Sequence, residues 1–311
     1  MSKDRIIRAT GKTAPFRLVL VDLTQTMNEI GKKHGALSYS LKLMAETTIA
    51  SIFLSSSLKF RGTVSVKATF AGELTSIQAD TTPYISRNDF DKASSGQVAS
   101  ESSYLVRASI PHQELERIKG DEPAAVPQTF EVVKLDDHGK RVHESIVEAT
   151  SPFMGRNLAS YLLQSEQVKS AVGIEAQFNQ EDPSKLDYAA GFYVEAFGDI
   201  TEKDITILEQ VVLNLPAFKD MYKTESGDIV DELKYQFEGP YDIDVVLELG
   251  AKPYCPCSKE RTLSSLSSLP LQDLQEMVQE GKDLEMICDF CRSKYNVTIE
   301  DIKTLIKERE K

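Results

Sequence analysis

The sequence predicts an α+β fold with a mixed helix and sheet core, a helical connector and a small C-terminal domain. Strand-like alternation and helical periodicity both occur within residues 1–198. The pattern becomes acidic and helical over 199–250, and all four cysteines lie in the remaining 251–311. A chain of 311 residues, 41% of them hydrophobic, is long enough for such a division.

The predicted core contains helices and strands in succession. Helices are predicted at Leu37–Leu58 and Phe153–Gln167, where apolar residues recur near helical spacing. Strands are predicted where apolar residues alternate with polar ones or form short runs that end at turn residues: Thr63–Phe70, Leu74–Ala79, Thr129–Leu135, Arg141–Glu148, Val168–Phe178 and Tyr188–Phe197. The third and fourth flank a polar loop and are expected to form a hairpin.

The connector begins at Thr201–Asp204, which has the pattern of a helix-capping box. Short helices are predicted as far as Phe237, followed by an extended segment through Val245–Leu249. Acidic residues outnumber basic ones by 17 to 6 between Asn179 and Lys252. This excess is interpreted either as a solvated helical surface or as a weakly stable segment that self-repulsion helps to open.

Charge and hydropathy exclude several classes of function. The net charge is −12, and the strong basic field of a nucleic-acid binder is missing. The sequence contains no run of 18 apolar residues, which a membrane-spanning helix would need. The first residues also lack the apolar stretch of a secretory signal. We therefore expect a cytoplasmic protein with neither nucleic-acid nor membrane partners.

The cysteines form two close pairs, Cys255-Pro-Cys257 and Cys288-Asp-Phe-Cys291. Zinc in structural sites takes four such ligands at tetrahedral corners. The intervening chain, predicted as two short helices and a strand at Leu284–Ile287, could bring the pairs together. The pattern therefore predicts one zinc ion bound by all four cysteines.

Several roles for this site remain open. The zinc could be a structural staple for a tail too small to fold alone. Alternatively, cations close in sequence (Lys259, Arg261, Arg292 and Lys294) could hold the sulfurs as oxidisable thiolates. Two further alternatives are a zinc ribbon that binds nucleic acid and a thiol oxidoreductase that uses Cys288 and Cys291.

The cysteine segments Cys255–Arg261 and Cys288–Tyr295 resemble those of the redox-regulated thirty-three-kilodalton heat shock protein family. Weaker similarities follow in the family's order at Ser57–Gly62, Tyr161–Gln167 and Ala189–Phe192. One departure is Arg292, because glycine is common there in the family; this difference concerns the local turn rather than the metal.

The resemblance implies a holdase chaperone rather than an enzyme. Reduced, such a protein holds zinc and is largely inactive. Oxidation would form the disulfides Cys255–Cys257 and Cys288–Cys291, release zinc and unfold the connector at 199–250. The protein would then bind unfolding client proteins and favour a homodimer.

Overall fold

The computed structural model describes residues 4–59, 61–70, 76–84, 102–111 and 126–309. The strands are β1 (Arg5–Gly11), β2 (Phe16–Asp22), β3 (Gly62–Phe70), β4 (Ser76–Tyr84), β5 (Ser103–Ser109), β6 (Pro127–Asp136), β7 (Arg141–Glu148), β8 (Ser170–Phe178), β9 (Leu186–Ala196), β10 (Ile243–Pro253), β11 (Leu284–Ile287) and β12 (Lys294–Val297). The helices are α1 (Thr24–His34), α2 (Ser38–Ser56), α3 (Met154–Tyr161), α4 (Glu202–Leu213), α5 (Phe218–Tyr222), α6 (Ile229–Tyr241), α7 (Lys259–Leu266), α8 (Leu271–Glu280) and α9 (Ile299–Arg309). The mixture of helices and sheet confirms the predicted fold class.

Ten strands form one sheet in the order β7-β6-β3-β4-β5-β10-β1-β2-β9-β8. Neighbouring strands are antiparallel except β10 and β5, which pair in parallel from Gly250 opposite Ser103 to Pro253 opposite Val106. The chain divides between Tyr254 and Cys255 into two compact units, and this sheet belongs to the first.

Helix α2 fills the core on one face of the sheet. It is buried on nearly all sides, and its hydroxyl groups bond to carbonyls of the preceding turn, as Thr48 Oγ1 does to Met44 at 2.8 Å. Gly191 of β9 lets this helix approach, because a Cβ there would lie 3.0 Å from the ring of Phe53 and 2.7 Å from the carbonyl oxygen of Gly173. The predicted helix at Leu37–Leu58 is confirmed.

The connector covers the opposite face of the sheet. Helix α4 begins as its capping pattern predicts, with the Thr201 hydroxyl accepting the backbone N–H of Asp204 at 3.2 Å. Helix α6 buries Val230, Leu233 and Phe237 in a cluster with apolar residues of β1, β2 and β9. The extended end of the connector is β10, which lies between β5 and β1. The predicted segments 1–198 and 199–250 thus share one sheet, and the independent folding of 1–198 stays a prediction.

The second compact unit has a small core of its own. Four residues are fully or almost fully buried in it: Leu266, Leu274, Val297 and Ile302. The strand predicted at Leu284–Ile287 is confirmed as β11, and it pairs with β12 in a two-stranded hairpin.

Several elements differ from the sequence predictions. Strands β1 and β2 were not predicted. Strand β2 is buried almost throughout, so Phe16–Asp22 is nearly continuously apolar instead of alternating. The helix predicted at Phe153–Gln167 consists of α3 followed by a π-helical turn at Leu162–Glu166. The strand predicted at Leu74–Ala79 is β4, which runs to Tyr84; residues 71–75 lie outside the described part of the chain.

None of the helices in the described ranges combines the length and apolar character that a membrane crossing needs.

Candidate metal centre

Two loops of the second unit carry the cysteines. Cys255 and Cys257 lie between β10 and α7, and Cys288 and Cys291 lie in the turn between β11 and β12. Directly after the first pair, the Ser258 hydroxyl accepts the backbone N–H of Arg261 at 3.2 Å and caps α7. The cap fixes the direction in which the chain leaves the first pair.

The second pair lies in a tight backbone turn. The Cys288 N–H donates to the Ser293 carbonyl, and the Arg292 N–H donates to the Cys288 carbonyl, both at 2.9 Å. Arg292 has a φ of 60°, in the left-handed region that favours glycine. A glycine would adopt this conformation without strain, so the departure noted at Arg292 leaves the turn itself in place.

The four sulfur atoms converge. They lie within 4.8 Å of one another, with 3.7 Å between Cys255 and Cys288 and 3.2 Å between Cys257 and Cys291. Sulfurs at tetrahedral corners ~2.3 Å from zinc are ~3.8 Å apart, so this donor set fits a four-thiolate metal site with small adjustments. Among the described residues, it is the one group of three or more cysteine, histidine or acidic side chains close enough to share an ion.

Hydrogen-bonding groups surround the sulfurs. The Tyr295 hydroxyl donates to the Cys257 sulfur at 3.0 Å, and the Ser293 hydroxyl lies 3.2 Å from the Cys291 sulfur. Backbone N–H groups of Cys291 and Phe290 point to the Cys288 sulfur. Neither hydroxyl was singled out from the sequence, although Tyr295 and the buried Val297 alternate as residues on one face of a strand do.

Burial and these contacts give the thiols different pKa values. Burial raises the pKa of Cys257 to about 12, although the Tyr295 hydroxyl acts in the opposite direction. Burial also acts to raise the pKa of Cys291, but hydrogen bonds with Ser293 prevail and lower it to about 6. Because a metal binds thiolates, metal binding at this site would release protons.

Three of the four cations expected to stabilise the thiolates have other partners. Lys259 pairs with Asp301 at 2.7 Å, and Lys294 pairs with Glu285 at 2.9 Å. The Arg261 guanidinium donates to the Pro256 carbonyl at 3.1 Å. Hydroxyl and amide groups, rather than these cations, are therefore the groups seen to contact the sulfurs.

The two sulfur contacts described above, Cys255 with Cys288 and Cys257 with Cys291, each join one pair to the other. The disulfides Cys255–Cys257 and Cys288–Cys291 stay a prediction, and each would need only a local movement of its own loop.

Comparisons with known proteins agree over nearly the whole chain. The family model described as Hsp33 protein matches residues 4–298. The 33 kDa chaperonin of Lactococcus lactis subsp. lactis (strain IL1403) is 29% identical over 315 residues, covering 98% of this chain and 100% of that protein. The 33 kDa chaperonin of Streptococcus uberis is 29% identical over 316 residues, covering 98% and 99%.

A solved structure has the same fold. The crystal structure of the 33 kDa chaperonin from Thermotoga maritima aligns with a TM-score of 0.78 and covers 99% of each chain, at 18% sequence identity.

Proposed function

Because the chain belongs to the Hsp33 family, as its cysteine segments predict, we propose that it is a holdase chaperone activated by oxidation of its four cysteines. The convergence of the four sulfurs carries this proposal. It supports a site that holds a metal when reduced and cannot hold it when oxidised. A reducing compartment, for which we propose the cytoplasm, would keep the thiols ready to react.

In the reduced state, Cys255, Cys257, Cys288 and Cys291 would bind one zinc ion as thiolates. Zinc would supply the cross-link between the two loops, which in small zinc domains contributes about 10–16 kcal/mol to folding. The second unit has only four well-buried apolar residues. A core of this size is too small to keep the unit folded without such a cross-link.

Peroxide would oxidise the site through the sulfurs. A thiolate attacks one peroxide oxygen, breaks the O–O bond, forms an S–O bond and releases hydroxide. A neighbouring thiolate then displaces hydroxide from the resulting sulfenic acid and forms the disulfide. Each peroxide thus accepts the two electrons that one disulfide yields. We propose Cys255–Cys257 and Cys288–Cys291 as the products, and neither retains a thiolate for zinc.

The connector is positioned to respond to oxidation of the cysteines. Cys255 follows β10 after a single residue, Tyr254, whose N–H donates to the Val106 carbonyl at 2.9 Å. Helix α4 is held loosely, because only Leu208 is buried in it and Leu213 is 76% exposed. A helix with so little buried surface belongs to the least stable part of a fold.

Release of the connector would expose an apolar face of the sheet. Phe237 of α6 packs on Phe192 of β9 with ring centroids 6.3 Å apart, and Tyr241 packs on Phe16 of β2 at 5.0 Å. Without the connector, the buried residues of β1, β2 and β9 would become a surface for apolar segments of unfolding proteins. Two copies could cover part of it for each other, which supports a homodimer in the active state.

The test follows zinc, thiols and chaperone activity in one sample. The reduced full-length chain is treated with hydrogen peroxide at mildly raised temperature. We expect one zinc per chain to be released, four thiols to be lost, helical signal to fall and aggregation of a heat-unfolding test protein to be suppressed. Oxidation and zinc release without suppression would make the zinc a structural staple and overturn the proposal.

A further inference from the structure

Tyr295 places its hydroxyl against the sulfur of Cys257. It stands in β12 opposite Met286, and it shares a strand face with Val297, which is buried in the core of the second unit. The strand pairing and the burial of Val297 fix the backbone from which the Tyr295 ring projects. Its hydroxyl reaches the Cys257 sulfur, on the other loop, at 3.0 Å.

The neighbouring sulfurs have different hydrogen-bond partners. Cys291 has the Ser293 hydroxyl at 3.2 Å, two residues away on the same turn. Cys288 has backbone N–H groups of its own turn, which no side-chain substitution removes. Of the hydroxyl contacts to sulfur in the described part of the chain, that of Tyr295 spans the two cysteine loops.

We propose that Tyr295 is a positioning residue that restrains the reaction of Cys257 with peroxide. An O–H donor draws electron density from the sulfur lone pair, and that lone pair must attack the peroxide oxygen. The same bond holds Cys257 towards the opposite loop. The inference rests on the proposed oxidation switch, and it assigns Tyr295 the role of setting how much oxidant the switch needs.

The test compares the wild type with Tyr295→Phe, which keeps the ring and removes only the hydroxyl. Both full-length chains are reduced, loaded with zinc and checked for one zinc per chain. They are treated with hydrogen peroxide, and the remaining thiols are alkylated at intervals. Mass spectrometry with fragmentation between Cys255 and Cys257 then gives a rate of loss for each cysteine.

We expect Cys257 to be lost about tenfold faster in Tyr295→Phe, as removal of one strong hydrogen bond to a charged group predicts. The matched control is Ser293→Ala, which removes the hydroxyl beside Cys291. It should alter the rate at Cys291 and leave the rate at Cys257 unchanged. A purely structural effect of Tyr295 would change all four rates together.

Equal rates at Cys257 in the wild type and Tyr295→Phe would overturn the inference while leaving the proposed function intact. Loss of zinc from Tyr295→Phe before peroxide is added would overturn it too, because the residue would then be structural. If the wild-type thiols and zinc withstand peroxide altogether, the oxidation switch and the role of Tyr295 both fail.

Discussion

The guanidinium of Arg5 lies 2.8 Å from the carboxylate of Asp228 and thereby joins the first strand of the sheet to the cap of connector helix α6. Asp228 also accepts the backbone N–H of Val230 at 3.0 Å. The same guanidinium contacts Asp231 at 2.9 Å and Glu248 at 2.8 Å. One partly buried cation thus pairs with three carboxylates of an acidic connector, which ties this part of the connector to the core.

Replacing Arg5 should loosen the connector. In Arg5→Met we expect the free energy of unfolding to fall by about 2 kcal/mol, because three carboxylates lose a charged hydrogen-bond donor. Amide exchange in α6 should accelerate, and the reduced protein should partly suppress aggregation without oxidant. Lys12→Met is the control, since Lys12 pairs with Asp242 at the surface and contributes little. Equal amide exchange in the two variants would contradict the role of Arg5.

The zinc ligands can be tested by a paired substitution. The Cys288→Ser, Cys291→Ser double variant should lose tight zinc binding, because a neutral hydroxyl is a poor substitute for a thiolate. Metal analysis of the purified protein measures this directly. Ser264→Ala together with Ser265→Ala, on the neighbouring helix α7, is the control and should retain one zinc per chain. A full zinc complement in the double cysteine variant would refute the ligand assignment.

Because Arg292 has a left-handed conformation, a glycine at this position should stabilise the turn. Arg292→Gly should stabilise the turn by about 0.5–1 kcal/mol, because relief of the Cβ clash exceeds the added flexibility of the unfolded chain. A chelator should then remove zinc at a higher concentration. Arg292→Ala keeps the clash and removes only the side chain, whose nearest carboxylate, on Asp289, lies 4.0 Å away. If alanine and glycine have the same effect, backbone strain is not the cause.

Asp4 makes the stability of the core depend on pH. Its carboxylate accepts the N–H groups of Gln25 and Thr26 at 2.8 Å, yet burial prevails and raises the pKa of Asp4 to about 6. The folded state therefore favours the protonated form, whose stabilisation is complete below about pH 3.8 and is lost as the pH rises through 6. Relative to Asp4→Asn, the wild type should lose about 2 kcal/mol between pH 4 and pH 7.

Urea unfolding of both proteins across this range measures the difference. Asp182→Asn is the control, because the Lys185 ammonium and the Ser184 hydroxyl lower the pKa of Asp182 to about 2. Asp182 is thus ionised throughout, and its difference from the wild type should be flat. A flat difference for Asp4→Asn as well would show that burial does not govern this carboxyl.

Truncations test the predicted division of the chain. A chain that ends at residue 254 should melt cooperatively, because it retains all ten strands of the sheet. The predicted core at 1–198 should also fold, but at a lower melting temperature, since it lacks β10 and the cover provided by α6. Calorimetry of both chains measures the cooperativity and the melting temperature of each. An unfolded 1–198 chain would mean that the connector is part of the core.

The sequence pattern predicted those elements that are determined by residues close together in the chain. The hairpin of β6 and β7 and the cap at Thr201 follow from neighbouring residues. The convergence of the four cysteines follows instead from the number of ligands that a structural zinc site needs. The place of β10 could not be predicted in this way, because the strand pairs with β1 and β5 from distant parts of the chain. The approach of Tyr295 to Cys257 likewise depends on how two loops meet.

The position of β10 also has a consequence for biosynthesis. Its partners β1 and β5 leave the ribosome long before β10 is translated, so their facing edges emerge without the strand that will separate them. Exposed strand edges on a nascent chain invite mispairing and aggregation. Strand β10 is translated just before the first cysteine, Cys255. The edges of β1 and β5 therefore lack their partner strand until β10 has left the ribosome.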